Sequence, residues 1–269
     1  MPRAPGGRGR QPPVLKKFGQ HFLSDQRILT AIVDALAPTM QDTVVEVGPG
    51  RGSLTDILAE RSGRVVAVEI DRALAAQLRG RYRDRSNVEI LEGDFLETDV
   101  PAIVGEDYLL IGNVPYYITT PIVFKSLDPP IPRRSVFLVQ REVAERMAAH
   151  ADTESYGALS VNLAAVANVE QVLGVPAKAF QPPPKVDSAV VRLTPRAQPL
   201  MPIESLAAFR VFVQAAFGLR RKQMVRVLRT VRGLSPEQAG ALLERAGIES
   251  SARPEVISPE KFATLFGLL

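Results

Sequence analysis

The chain has 269 residues, 46% hydrophobic and 23% charged, enough to bury a sizeable core in one large unit with a smaller one beside it. With no cysteine and only two histidines, it excludes disulfides, thiolate metal sites, a cysteine nucleophile and a histidine-rich metal centre, and it suits a reducing cytoplasm. The net charge of +4 is unevenly spread: residues 1–17 carry five basic side chains and no acid, residues 201–232 carry seven against Glu204 alone, and the remainder is acidic, a pattern suited to gripping a polyanion at the periphery.

Residues 1–17 lack apolar periodicity and predict a basic flexible arm, with no apolar stretch after it of the kind a secretory signal needs. Phe18 and Phe22 follow, suited either to stapling the arm to the core or to part of a cofactor lid. Ser24 or Asp25 caps a helix whose apolar positions are Ile28, Ile32, Val33 and Leu36, and Pro38 ends it. The β-branched run Thr43–Val47 then leads into Gly48-Pro49-Gly50-Arg51-Gly52 and a helix beginning near Leu54. Strand, glycine loop and helix N-terminus form a nucleotide-type site in an α/β fold. Ser53 stands where a dinucleotide fingerprint needs its third glycine, so the spacing favours a small zwitterionic ligand without a pyrophosphate. A second strand over Arg64–Val68 places Glu69 at its tip, where an acid can accept both ribose hydroxyls. A third over Val88–Leu91 ends at Gly93-Asp94, and Asp94 suits either an adenine amino group or the cap of the next turn.

The fourth strand, Tyr108–Ile111, runs into Gly112-Asn113-Val114-Pro115-Tyr116-Tyr117. An Asn-x-Pro-Tyr tetrad suits the holding of a planar exocyclic amine: the Asn113 side-chain oxygen accepts one N–H, a backbone carbonyl beside Pro115 accepts the other, and Tyr116 offers a flat face to the base. The alternative is a loop with a buried asparagine and two packing tyrosines. Four strands thus place polar or glycine-rich elements at their C-terminal ends, where ligands bind in open α/β sheets.

Thr119 or Thr120 is expected to cap a helix with Pro121 in its first turn, Ser135–Gln140 reads as a fifth strand and Arg141–Ala149 as an amphipathic helix. Val166–Val175 and Val186–Leu193 read as two further strands, and the stiff run Phe180-Gln181-Pro182-Pro183-Pro184-Lys185 lies between them. Phe180 there is either a second stacking surface opposite Tyr116 or a buried residue of a connector. The longest apolar stretch, Ala158–Ala177, is interrupted by Asn162, Asn168, Glu170 and Gln171, so no membrane span is expected. Pro195–Pro202 is a linker, and the rest is helical. Leu219–Arg232 predicts one helix with Met224, Val227, Leu228 and Val231 on one side and Arg221, Lys222, Arg226, Arg229 and Arg232 on the other, an acid-free face suited to phosphates. Helices over Pro236–Ala246 and Ser258–Leu268 complete the chain.

Taken together, Phe18-Gly19-Gln20-His21-Phe22-Leu23, Glu46 to Gly52, Glu69, Gly93-Asp94, Asn113 to Tyr116 and Phe180 to Val191 closely resemble the ribosomal RNA adenine dimethyltransferases, above all the bacterial branch acting on small-subunit RNA. The resemblance runs from about Lys16 to the C-terminus. It implies a Rossmann-like class I methyltransferase sheet of seven mostly parallel strands within residues 18–195, and a small all-helical RNA-binding domain over 196–269. It also implies S-adenosylmethionine as methyl donor, with no metal. His21, Leu23, Gly48, Gly50, Glu69, Asp94 and Asn113 would hold the cofactor; Asn113, Pro115, Tyr116 and Phe180 would serve catalysis, with the adenine between Tyr116 and Phe180. The implied activity is N6,N6-dimethylation of adenosines, two adjacent ones, in the 3′-terminal hairpin of 16S rRNA, by a cytoplasmic monomer engaged in small-subunit biogenesis. His21 and Tyr117 depart from the family, both standing where asparagine is common. The alternatives are a large-subunit (23S) methyltransferase of the macrolide-resistance type and a non-catalytic RNA-binding assembly factor. The proline run with its Pro-Lys-Val-Asp continuation and the basic C-terminal segment favour the small-subunit reading, and an intact Glu69, Asp94 and Asn113 favour an active site.

Overall fold

The structure, a computed structural model, describes residues 21–269, so the basic arm and Phe18 lie outside the described residues. Strand β1 (Phe22–Leu23) leads into helix α1 (Gln26–Leu36), where the Asp25 carboxylate accepts the Arg27 amide at 3.0 Å. Leu29, Ile32, Val33 and Leu36 form its buried stripe at helical spacing. Four strand–helix units follow: β2 (Thr43–Val47) with α2 (Ser53–Arg61), β3 (Arg64–Glu69) with α3 (Arg72–Arg81), β4 (Val88–Glu92) with α4 (Val100–Val104), and β5 (Leu109–Asn113) with α5 (Thr119–Lys125). Then come β6 (Arg134–Gln140), α6 (Arg141–Ala148), α7 (Ala158–Ala164), β7 (Ala167–Val175), β8 (Phe180–Gln181) and β9 (Ser188–Pro195). The C-terminal helices are α8 (Leu206–Gly218), α9 (Met224–Arg232), α10 (Pro236–Arg245) and α11 (Pro259–Gly267).

Seven strands form one sheet in the order β4-β3-β2-β5-β6-β9-β7, with β9 alone antiparallel to its neighbours. The central strands β2, β3, β5 and β6 are largely apolar and buried because helices cover both faces there, whereas the edge strands β4 and β7 are partly exposed. Chain order reverses between β2 and β5, so the connections leave in opposite directions there and open a crevice at the strand C-termini. Separately, β1 and β8 make a two-residue antiparallel ribbon, with Leu23 opposite Phe180.

One hydrophobic core runs from the sheet residues Val45, Leu110 and Phe137 through Leu159 and Leu163 of α7 to Phe209, Phe212 and Phe262 of the C-terminal helices. The boundary expected at residues 195/196 therefore marks a change from strand to helix, while the packing is continuous across it. The linker is itself tied down, Arg196 N–H donating to the Val166 carbonyl and Leu200 N–H to that of Ala165, each at 2.8 Å. A second core on the opposite sheet face joins α1 and α2 to Val44, Ile111, Leu138 and Val190.

Two local expectations change. The helix foreseen over Leu219–Arg232 begins only at Met224, because Leu219 ends α8 and the next residues turn. The turn is pinned by Met224 N–H on the Ala252 carbonyl at 2.7 Å and by the Arg220–Glu255 ion pair at 2.6 Å, so Arg221 and Lys222 sit on a turn, not on the helix. Thr119 lies inside α5 and its hydroxyl donates back to the Pro115 carbonyl at 3.2 Å instead of capping.

Candidate active site

The crevice at the strand ends is a solvent-open cleft, lined by the residues His21 to Leu23, Glu46 to Arg51, Glu69, Gly93 to Phe95 and Asn113 to Ile118 among others. It begins with the glycine loop after β2. Gly50 has φ +57° and a Cβ there would lie 3.1 Å from a Phe22 ring carbon; Gly52 has φ +81° and its Cβ would lie 2.7 Å from the Tyr82 hydroxyl. Both positions need glycine for conformation and for room. The Gly50 N–H donates to Glu69 Oε2 and the Asp71 N–H to Glu69 Oε1, each at 2.9 Å, so the β3 carboxylate fixes the loop and keeps further lone pairs for ligand hydroxyls. Burial raises the Glu69 carboxyl's pKa, and the two N–H bonds oppose the rise.

Glu46, two residues before the loop, is a buried acid in mid-strand whose only side-chain partner among the described residues is the Thr55 hydroxyl, donating at 2.6 Å. Desolvation pushes its carboxyl from 4.5 up to about 8, with the charges of Glu69 and Asp56 adding to the rise. At the tip of β4, Asp94 accepts the Leu96 N–H on Oδ1 at 2.8 Å, which is the turn-capping role, and Oδ2 stays free of partners among the described residues. The two readings of Asp94 are thus compatible. Lys125 of α5 ties this loop down through the Leu96 and Thr98 carbonyls at 2.7 and 2.9 Å, a support that no sequence motif signalled.

At the end of β5, Asn113 Nδ2 donates to the His21 carbonyl at 3.4 Å, which orients the amide and leaves Oδ1 to accept. The Pro115 carbonyl is already occupied by the Ile118 N–H at 3.1 Å and the Thr119 hydroxyl at 3.2 Å. Among the described residues no donor reaches the Val114 carbonyl. The carbonyl left free beside the proline is therefore that of Val114, and Pro115 serves as the rigid start of the 3-10 turn over Tyr116–Ile118. The Tyr116 ring is held on two sides: its hydroxyl shares a 2.8 Å hydrogen bond with the buried Ser188 hydroxyl, and the His21 ring stacks on it at 5.9 Å and 24°. His21 Nδ1 in turn donates to the Pro182 carbonyl at 2.8 Å. Ser188 was not foreseen, although it falls within the Phe180–Val191 run.

Phe180 does not face Tyr116. It is 4% exposed and packs with Leu23, Leu29 and Val175, because the β1–β8 pairing turns Leu23 and Phe180 together into the core. The exposed ring at the cleft is Tyr117, 61% accessible. Of the basic residues, Arg226 and Arg229 are exposed on α9, Arg221 and Lys222 on the turn before it, and Arg232 lies with its guanidinium 5.6 Å over the Phe212 ring. None of the five lines the cleft or pairs with a carboxylate among the described residues.

A family model described as ribosomal RNA adenine dimethylase matches residues 14–269. The chain belongs to that family. A small subunit ribosomal RNA methyltransferase A from Alkaliphilus metalliredigens is 40% identical over 93% of this chain and 90% of its own length. Another from Geobacter metallireducens is 40% identical over 93% of both. Among solved structures, the 23S rRNA methyltransferase ErmE matches with TM-score 0.71 and 31% identity over 91% of this chain and 98% of its own. A dimethyladenosine transferase from Plasmodium falciparum matches with TM-score 0.77 and 26% identity over 91% and 96%. The seven-stranded sheet of this dimethylase is thus the class I methyltransferase sheet, and its cofactor is S-adenosylmethionine. The cleft fits that ligand: acids at Glu69 and Asp94 suit ribose hydroxyls and an adenine amino group, while one arginine and no lysine in the lining suit a ligand without phosphates. Among the described residues no group of three or more histidines or acids could hold a metal ion.

Proposed function

We propose that the chain dimethylates N6 of adenosines in small-subunit ribosomal RNA, two adjacent ones in the 3′-terminal hairpin, during subunit assembly in the cytoplasm and as a single chain. The observation that carries the reading is the pair of free acceptors, Asn113 Oδ1 and the Val114 carbonyl, at the strand end beside the cofactor cleft. S-adenosylmethionine, when bound, supplies a methyl group already activated on a sulfonium. The protein's part is orientation. Two acceptors bind both N–H groups of an adenine amine, direct its lone pair away from the ring system and hold it for in-line attack. Tyr116, clamped by Ser188 and His21, gives the base a fixed stacking face. After one methylation a single N–H remains and still finds an acceptor, which permits a second transfer at the same nitrogen.

The small-subunit substrate is supported by relatives of that name at about 40% identity along nearly the whole chain, against 31% for the large-subunit enzyme ErmE. Methyl transfer from labelled cofactor to unmethylated small subunits, large subunits and naked RNA in parallel tests it. Label is expected in small subunits as dimethyladenosine, and loss of more than a hundredfold in rate is expected for Asn113→Ala with cofactor affinity within roughly tenfold. Label confined to large subunits would replace the reading with the macrolide-resistance type. Binding without transfer would leave an assembly factor.

A further inference from the structure

We infer that Tyr117 is a stacking platform for the nucleobase next in the RNA to the target adenine; the inference rests on the adenine reading given above. Its side chain is 61% exposed, the one aromatic ring so exposed among the described residues, and it lines the cleft. No hydrogen bond, aromatic pair or hydrophobic cluster among the described residues includes it, whereas the ring before it in the chain is held by Ser188 and His21. A bare ring of this size beside the site leaves water only when a flat, apolar surface settles on it. An RNA substrate brings such surfaces in its bases.

The backbone under Tyr117 is fixed at both ends. The Pro115 carbonyl accepts the Ile118 N–H at 3.1 Å and the Thr119 hydroxyl at 3.2 Å, Ile118 packs against the main core, and Thr119 is buried. The ring is therefore presented by a rigid turn and needs little further ordering when a base lands on it. In a 3-10 turn successive side chains point about a third of a turn apart, so Tyr116 and Tyr117 do not lie against the same base. Their Cα atoms are nevertheless only about 3.8 Å apart, which brings Tyr117 within reach of the neighbouring nucleotide. An adenine that reaches Asn113 has left its stack, and the base beside it in the RNA has lost a stacking partner. Tyrosine rings take up such unstacked bases, and they do so with little regard to which base it is. The segment from Leu109 to Phe124 contains no charged residue, so this side of the cleft offers a base face and no local cation for a phosphate.

The test is steady-state methyl transfer to unmethylated small subunits by the full chain and by Tyr117→Phe, Tyr117→Leu and Tyr117→Ala, with calorimetric S-adenosylmethionine binding to each. Loss of one base stack is expected to raise KM for subunits about tenfold in Tyr117→Ala. Tyr117→Leu should lose nearly as much, because it keeps apolar bulk without a π face, and Tyr117→Phe should stay within about twofold of wild type. In all three, kcat and cofactor affinity should change less than about twofold, since Asn113, Val114 and Tyr116 are untouched. Unchanged KM in the leucine and alanine variants, a loss in Tyr117→Phe equal to that in Tyr117→Leu, or a loss confined to kcat or to cofactor binding would overturn the stacking role. Should large subunits take the label instead, the same comparison on them decides the role of the ring. A wild-type chain that methylates no RNA would overturn the adenine reading, and this inference with it.

Discussion

Glu46 makes stability depend on pH in a direction opposite to that of most carboxylates. It lies in mid-strand, paired with Ala67 on β3 and Ile111 on β5, and is 1% exposed. Burial raises its pKa from 4.5 to about 8, and the Thr55 hydrogen bond offsets only part of that. A carboxyl raised on folding holds its proton more tightly in the native state. Its contribution is therefore complete below pH 4.5, declines as pH rises and is gone above about 8. At about 1.36 kcal/mol per unit, the loss between pH 5 and 8 is roughly 3 kcal/mol, a large share of a typical folding free energy. Glu46→Gln keeps the size and a partner for the Thr55 hydroxyl but does not titrate. Urea unfolding of both proteins from pH 5 to 8 should show the wild type losing about 3 kcal/mol more than the variant. Glu69 is raised in both proteins and cancels in the comparison. Parallel pH profiles would show that Glu46 is ionised in the folded chain at neutral pH and that the reasoning from burial fails.

Ser188→Ala and Tyr116→Phe each remove the same hydrogen bond and should each lower kcat/KM about fivefold, the double variant losing little more; additive losses in steady-state kinetics would show the bond does not position the ring. Phe180→Ala should cost about 3–5 kcal/mol in denaturant unfolding as a core truncation, whereas unchanged stability with weakened RNA binding would return Phe180 to a stacking role. Gln at Lys222, Arg226 and Arg229 together should flatten the log–log salt dependence of subunit binding by about two to three units, with cofactor affinity unchanged; an intact slope would show that this face is only solvated.

The parts of the site that were legible in the sequence are those that depend on residue type at a fixed offset from a strand end. The glycine loop, Glu69, Asp94 and Asn113 each follow an apolar run, so once the strands were recognised their place in the sheet placed the residues in one crevice. What was not legible depends on pairing between distant segments. Whether Phe180 points out or in is decided by its register against Leu23 in a ribbon of two residues, and a periodicity of two cannot be read from so short a strand. The start of α9 was missed for a similar reason. The helical pattern of residues 219–232 is real, but the Met224 amide is captured by the Ala252 carbonyl, from a segment far along the chain.

Val114 shows how the same limit bears on mechanism. The tetrad Asn113–Tyr116 shows that an acceptor beside the proline is available, yet only the hydrogen bonds of the following turn decide which carbonyl it is. Because Ile118 and Thr119 both bond to Pro115, the turn uses one carbonyl for its own closure and leaves the preceding one free. His21 then links the two halves of the proposed base site: its carbonyl orients the Asn113 amide, its ring backs Tyr116, and its Nδ1 holds Pro182 of the proline loop. The Asn113 amide and the Tyr116 ring are thus both held by one residue, which lines the cofactor cleft as well. An asparagine at this position would keep the main-chain contact to Asn113, but it would lose the ring on Tyr116. Under the proposed function, the departure at His21 would therefore change the support of the stacking ring and leave the orientation of the Asn113 amide unchanged.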